Sequence, residues 1–295
     1  MKLAARFAHA GLFLFSLTGC SAFAPDFLKS SLESARKFTI ENPGSFGEYT
    51  RAGRRIRWVA AGNARAPKVI FIHGSPGGWE AFVAFLTDST LGGAYRITAD
   101  RPGYGGSEAG KTERSLAVQA DALRGLLDLG DRDQPAILVG HSYGGAVVAQ
   151  MAMSLDPRIR SVVIVAGSVD PDLERTKWYQ YPADWWIFRW MVPENLRVCN
   201  QEIFALKDSL AAIVPAWSSI RARMSVIQGT EDELVPPGNL DFVEHHLGRP
   251  LAHRILISGM NHFVPWRRPD TIRTVVRDEL ALLSVKSREK QKERN

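Results

Sequence analysis

The stretch Ala136-Ile-Leu-Val-Gly-His-Ser-Tyr-Gly-Gly145 decides how this chain folds. Its first four residues are an apolar run of strand length, and the small residues from Gly144 to Met153 read as a helix. Ser142 lies between them, at the centre of Gly140-His-Ser-Tyr-Gly144. A strand that turns at once into a helix forces its central residue into a sharp, strained conformation, and glycines two positions to either side keep neighbouring side chains from colliding there. The turn lifts the serine oxygen clear of the sheet, as a nucleophile requires. The expectation is a serine hydrolase whose partners follow in the order Ser, acid, His.

Working outward, strand and helix patterns alternate. Strands are expected at Arg55 to Ala60, Lys68 to Ile72, Tyr95 to Ala99, Ala136 to Val139, Ser161 to Ala166, Met224 to Gln228 and His253 to Ile257. Several are unbroken Val/Ile runs, as in strands covered on both faces. Helical stripes occupy Thr112 to Leu129, with Leu116, Val118, Ala122, Leu123 and Leu126 on one side, and Pro269 to Val285. This rhythm predicts an α/β fold with a mostly parallel, doubly wound sheet. From about residue 170 to 219 no strand is expected, and Trp178, Trp185, Trp186, Trp190 and Trp217 crowd there. That segment reads as a small helical cap over the carboxyl ends of the strands, where such sheets bind ligands.

A serine hydroxyl needs a base to take its proton and an acid to hold that base. Of the seven histidines, His9 lies in the leader, His245 and His246 sit in a helix, His253 starts a strand, and His141 is expected to point away from the turn. His73 and His262 remain, and His262 follows a strand at the end of the sheet where the site belongs. The acid should lie between Ser142 and His262, and Glu231, Asp232 and Glu233 all follow the strand ending at Gln228. One oxyanion donor should be the backbone N–H of Tyr143, the residue after the nucleophile.

From about residue 54 to 284 the chain resembles the α/β-hydrolase superfamily. In that family Gly-x-x-Asp followed by Val-Pro marks the acid. Gly229-Thr-Glu-Asp232 with Val235-Pro236 matches it, so the resemblance selects Asp232. Some members use an acid after the preceding strand, a place Asp170 could fill. His73-Gly-Ser-Pro-Gly77 looks like the family's His-Gly-x-Pro loop, which implies the Ser75 amide as second oxyanion donor. Asp100-Arg-Pro-Gly-Tyr-Gly-Gly-Ser107 resembles the family's next turn and reads as structural support. Haloalkane dehalogenases and epoxide hydrolases need Asp where this chain has Ser142, so acyl transfer is expected, with small carboxylic esters as the default substrates. The same triad also serves proline iminopeptidases, carbon–carbon hydrolases and perhydrolases, and some family folds only bind ligands.

The N-terminus carries Lys2 and Arg6, an apolar stretch from Phe7 to Leu17, then Leu17-Thr-Gly-Cys20. This is a secretory signal of residues 1–19. Its end looks like a bacterial lipobox, implying a lipid on Cys20 and, with Ser21 next, an outer-membrane address in a Gram-negative cell. Residues 20–45 are expected as a lipidated tether, 46–285 as the catalytic domain and 286–295 as a basic tail. The formal charge of +6 loses two positives with the signal and three with the tail, leaving about +1, so nucleic acid is not an expected partner. No metal-ligand spacing, phosphate loop or dinucleotide fingerprint is present, and no cofactor is expected. Cys20→Ser should release soluble protein or leave an unprocessed precursor on cell fractionation; membrane attachment like that of the wild type would remove the lipid anchor.

Overall fold

The structure, a computed structural model, describes residues 32–174 and 192–294. Eight strands form one sheet: β1 (Gly44–Arg51), β2 (Arg54–Ala61), β3 (Lys68–Ile72), β4 (Tyr95–Ala99), β5 (Ala136–His141), β6 (Ile159–Val165), β7 (Arg223–Gly229) and β8 (His253–Ile257). Their spatial order is β1-β2-β4-β3-β5-β6-β7-β8. β2 is antiparallel to both β1 and β4, and every other pairing is parallel. The longer helices among the described residues are α1 (Leu32–Glu41), α2 (Leu116–Arg124), α3 (Tyr143–Ala152), α4 (Glu194–Ile213), α5 (Gly238–Leu247) and α6 (Pro269–Arg294).

Residue parity along the strands divides the core. Ile70, Ile72, Leu138, Val162, Ile164 and Val226 face a cluster completed by side chains of α2, α3 and α5. Val69, Phe71, Ile137, Val139, Val163, Val165 and Ile227 face the opposite cluster, closed by Ile272, Val275 and Val276 of α6. Successive side chains of a strand point to opposite faces, so only a sheet covered on both sides can bury such unbroken apolar runs. The turns that carry the candidate residues leave the carboxyl ends of β3, β5, β7 and β8.

The expected strands all form, with ends moved by at most two residues. α2 starts at Leu116 rather than Thr112 because Ser115 caps it, its Oγ accepting from the Val118 N–H at 3.3 Å. After Arg124 the helix tightens into a 3-10 turn, Gly125–Asp128.

β1 was absent from the sequence expectation. Gly44-Ser-Phe-Gly-Glu-Tyr-Thr-Arg51 has no apolar alternation because it is an edge strand without a buried residue. A two-residue turn fixes its register, with Ala52 and Gly53 at φ 51° and 69°, a conformation whose twist suits a hairpin.

β1 begins at Gly44, and the stretch before it holds the short helix α1, which packs on the domain. Ala35 and Phe38 of α1 are buried, Phe38 sets its ring edge-on to Trp79 at 5.5 Å, and the Ser34 hydroxyl donates to Glu80 at 2.7 Å. Of the expected cap, α4 and the 3-10 turn Val214–Ser219 are described; residues 175–191, with Trp178, Trp185, Trp186 and Trp190, lie outside the described residues. Trp217 is fully buried in the main core, edge-on to Phe242 of α5 at 5.7 Å.

Candidate active site

β5 ends at His141 and α3 begins at Tyr143, so Ser142 alone makes the turn, at φ 54° and ψ −124°. Side chains rarely adopt that conformation, and three hydrogen bonds hold it. The Ser142 N–H donates to Val165 O at 3.0 Å, and Ser142 O accepts from the Gly145 N–H at 2.8 Å and the Ser168 N–H at 3.2 Å. A side chain at Gly140 would collide with Gly144 O, and one at Gly144 with Ile72 O, so strand, turn and helix close up only on glycine.

His262 and Asp232 arrive from β8 and β7. His262 Nδ1 lies 2.8 Å from Asp232 Oδ2, with both side chains almost entirely buried. A carboxylate only accepts, so Nδ1 carries the proton and Nε2 is left as the basic nitrogen. Asp232 is fixed in turn: its Oδ1 accepts from the backbone N–H groups of Leu234 at 3.0 Å and Val235 at 2.8 Å, and its Oδ2 also accepts from Gln228 Nε2 at 3.1 Å. Asp170 is engaged in its own turn, accepting from the Asp172 N–H at 2.8 Å. Glu231 and Glu233 are exposed.

His141 does not point away from the site. Its Nε2 donates to the backbone oxygen of His262 at 3.1 Å, and the two rings lie 4.8 Å apart, with Trp266 edge-on to His141 at 5.3 Å. The reason is parity. His141 shares a sheet face with Val139, and that face carries Met260 and Val264, which flank His262 in sequence. Burial, reinforced by the neighbouring His262, lowers the His141 pKa to about 3. His73 is also buried, which pushes its pKa well below the usual imidazole range. Its Nε2 accepts from the Arg101 N–H at 2.9 Å, so Nδ1 bears the proton and donates to Gly74 O at 2.7 Å.

Ser75 follows in that loop, which crosses close above Ser142: a side chain at Gly74 would come within 2.8 Å of Ser142 Cβ. Tyr143 opens α3, and its buried phenol accepts from Gln119 Nε2 at 3.2 Å. Asp100 does tie its turn together, accepting from the N–H groups of Trp79 at 3.0 Å and Gly106 at 2.8 Å. Sequence reasoning missed Arg101, Gln119 and Glu202, which form a wholly buried polar cluster beside this loop. A signal for Glu202 existed, since Val198, Glu202, Leu206 and Leu210 form the buried stripe of α4 at a spacing of four, with one acid on an otherwise apolar face. Among the described residues no group of three or more His, Cys, Asp or Glu side chains could hold a metal ion.

The model of the alpha/beta hydrolase family matches residues 69–275. The chain is similar to the AB hydrolase superfamily protein YfhM of Bacillus subtilis, 31% identical over 45% of this chain and 46% of that protein. It is also similar to epoxide hydrolase 3 of Xenopus tropicalis, 26% identical over 53% and 42%. It thus spans less than half the length of these relatives. Among solved structures, a protein described as an aryl esterase from Burkholderia cenocepacia superposes with a TM-score of 0.65 at 19% identity, covering 81% of this chain and all of that one, a likeness of fold.

Two outcomes are expected. Asp232→Asn keeps the side-chain shape but removes the acceptor that sets the His262 tautomer, so kcat should fall about 10⁴-fold, while Asp170→Asn leaves it nearly unchanged. Steady-state rates that reverse this order would move the acid to Asp170. His141 titrates near 6.5 when unfolded and near 3 when folded, so the unfolded chain binds the extra proton as pH falls, and stability drops across that window. His141→Gln keeps a donor for His262 O and should spare about 2 kcal/mol of the loss between pH 7 and pH 5 in urea titrations. Equal losses in both proteins would mean that His141 is not held neutral.

Proposed function

The chain belongs to the alpha/beta hydrolase family, and within it we propose a serine hydrolase that cleaves carboxylic esters through an acyl-enzyme on Ser142. His262 takes the Ser142 proton and passes it to the leaving alcohol. Asp232 holds the imidazole by its Nδ1–H and stabilises the imidazolium formed during transfer. The N–H groups of Ser75 and Tyr143 receive the oxyanion of the tetrahedral intermediate. Water, activated by the same histidine, then releases the acid.

One observation carries the reading: the strained turn at Ser142 is joined, through the His141 contact, to a His262–Asp232 pair at 2.8 Å. Such strain concentrates where a side chain must be presented to a ligand. Similarity to an epoxide hydrolase does not extend to its reaction, because an alkyl-ester intermediate needs a carboxylate at the turn and this chain has a hydroxyl there. Esters are preferred over amides because alkoxide leaves more readily than an amine anion.

The test is hydrolysis of p-nitrophenyl esters of graded acyl length by the full chain in detergent, beside Ser142→Ala. Serine-dependent turnover is expected, at least 10³-fold above the variant. No ester turnover, in a folded protein that still reacts with a fluorophosphonate at Ser142, would refute ester cleavage and direct the assay to peptides and carbon–carbon substrates. Silence in both assays would favour a binding protein.

A further inference from the structure

A peptide unit is planar, so in a trans unit the carbonyl oxygen of one residue and the N–H of the next point in opposite directions. Whatever holds Gly74 O therefore aims the Ser75 N–H. Gly74 O accepts from His73 Nδ1 at 2.7 Å and from an Arg101 Nη at 3.0 Å. Arg101 Nε grips the preceding carbonyl, His73 O, at 3.0 Å. One guanidinium thus holds two successive carbonyls of the oxyanion loop.

That guanidinium is fully buried, and all five of its N–H groups have acceptors. Two go to the loop and one to Gln119 Oε1 at 2.6 Å. The other two form a bidentate pair with Glu202 at 2.7 and 3.0 Å. The plane is packed between the rings of Tyr143 at 4.4 Å and Tyr104 at 4.9 Å. Glu202 in turn accepts from the Ser75 hydroxyl at 2.6 Å, Tyr104 OH at 2.7 Å and Gln119 Nε2 at 2.8 Å. A buried pair of this kind adds little net stability over apolar packing, so stability alone does not account for it. Its bonds converge on the turn carrying the proposed Ser75 donor, and through Gln119 they also reach the side-chain hydroxyl of Tyr143.

We propose that Arg101 and Glu202 are positioning residues for the oxyanion site, Arg101 by orienting the Gly74–Ser75 peptide and Glu202 by locking Arg101 from helix α4. The inference rests on the serine-hydrolase reading. It adds that α4, which belongs to the segment expected as the cap, is mechanically tied to the donor that stabilises the transition state. A shift of α4 that withdraws Glu202 loosens the Ser75 amide, so the placement of the cap is coupled to turnover rather than to binding alone.

Arg101→Lys and Glu202→Gln in the full chain test it, with folding checked by near-ultraviolet circular dichroism. Lysine offers a single point donor in place of the fork. Arg101→Lys should lower kcat on a short p-nitrophenyl ester about 100-fold, the scale of losing one oxyanion donor, with KM changed less than about threefold. The fluorophosphonate labelling rate and the affinity for an alkylboronic acid, whose adducts are tetrahedral, should fall alongside kcat. Glu202→Gln keeps the side-chain shape and one acceptor for Arg101, and should give the same pattern at about 10-fold.

Unchanged kcat and labelling in either folded variant, or a rise in KM alone, would overturn the proposal. If Arg101→Lys does not fold, Glu202→Gln decides by the same criteria. Failure of the underlying reading is seen separately, in the wild type. Wild-type protein that neither labels nor turns over refutes both, whereas wild type that labels and variants that label equally fast refute only the positioning roles.

Discussion

Ser142 is held at a φ of 54° by hydrogen bonds from β6 and from the first turn of α3, and the layout of the site follows from that turn. A conformation costing on the order of 1–3 kcal/mol persists only where its surroundings over-determine it. Here they do so through close approaches that only glycine permits, at Gly140 and Gly144. The same closeness brings the His73–Ser75 loop over the serine and sets His141 against the carbonyl of His262. The candidate residues are arranged around one backbone angle rather than gathered from independent loops.

Electrostatically the surroundings of the serine are quiet. His73 and His141 are held neutral by burial, and the buried Arg101 guanidinium is paired with the buried Glu202 carboxylate. The remaining imidazole of the cluster, His262, is paired with Asp232 at 2.8 Å. Two neutral imidazoles also serve as fixed hydrogen-bonding frames: His73 bonds the carbonyl of Gly74 beside Ser142, and His141 bonds the carbonyl of His262. In a low-dielectric site such pre-set dipoles need no rearrangement as charge develops.

Most of the sheet was legible in the sequence because buried parallel strands announce themselves as Val/Ile runs, and the turn at Ser142 is marked by its glycines. β1 was not, since an edge strand has no face that must be apolar and Ala52-Gly53 is a weak hairpin signal. The direction of His141 is set by the sheet face that its strand presents, which the residues of the turn do not reveal by themselves. Arg101 read as part of a structural turn, and only its pairing with an acid 101 residues away distinguishes it. Pairing across that distance is a property of topology, which local pattern does not contain; the acid on the apolar stripe of α4 was the one trace of it.

Cys199 lies next to Val198 and about one turn before Glu202 on the buried side of α4, and burial pushes its thiol pKa up to about 12. At neutral pH it is almost wholly protonated and closed to solvent, hence silent toward maleimides and iodoacetamide. With Cys20 as the other cysteine of the sequence, the folded domain from residue 32 onward offers no competing reactive thiol. Within that domain, a single cysteine introduced on the exposed side of α4 would then be the one accessible attachment point for a spin label or fluorophore, so the helix bearing Glu202 can be watched spectroscopically.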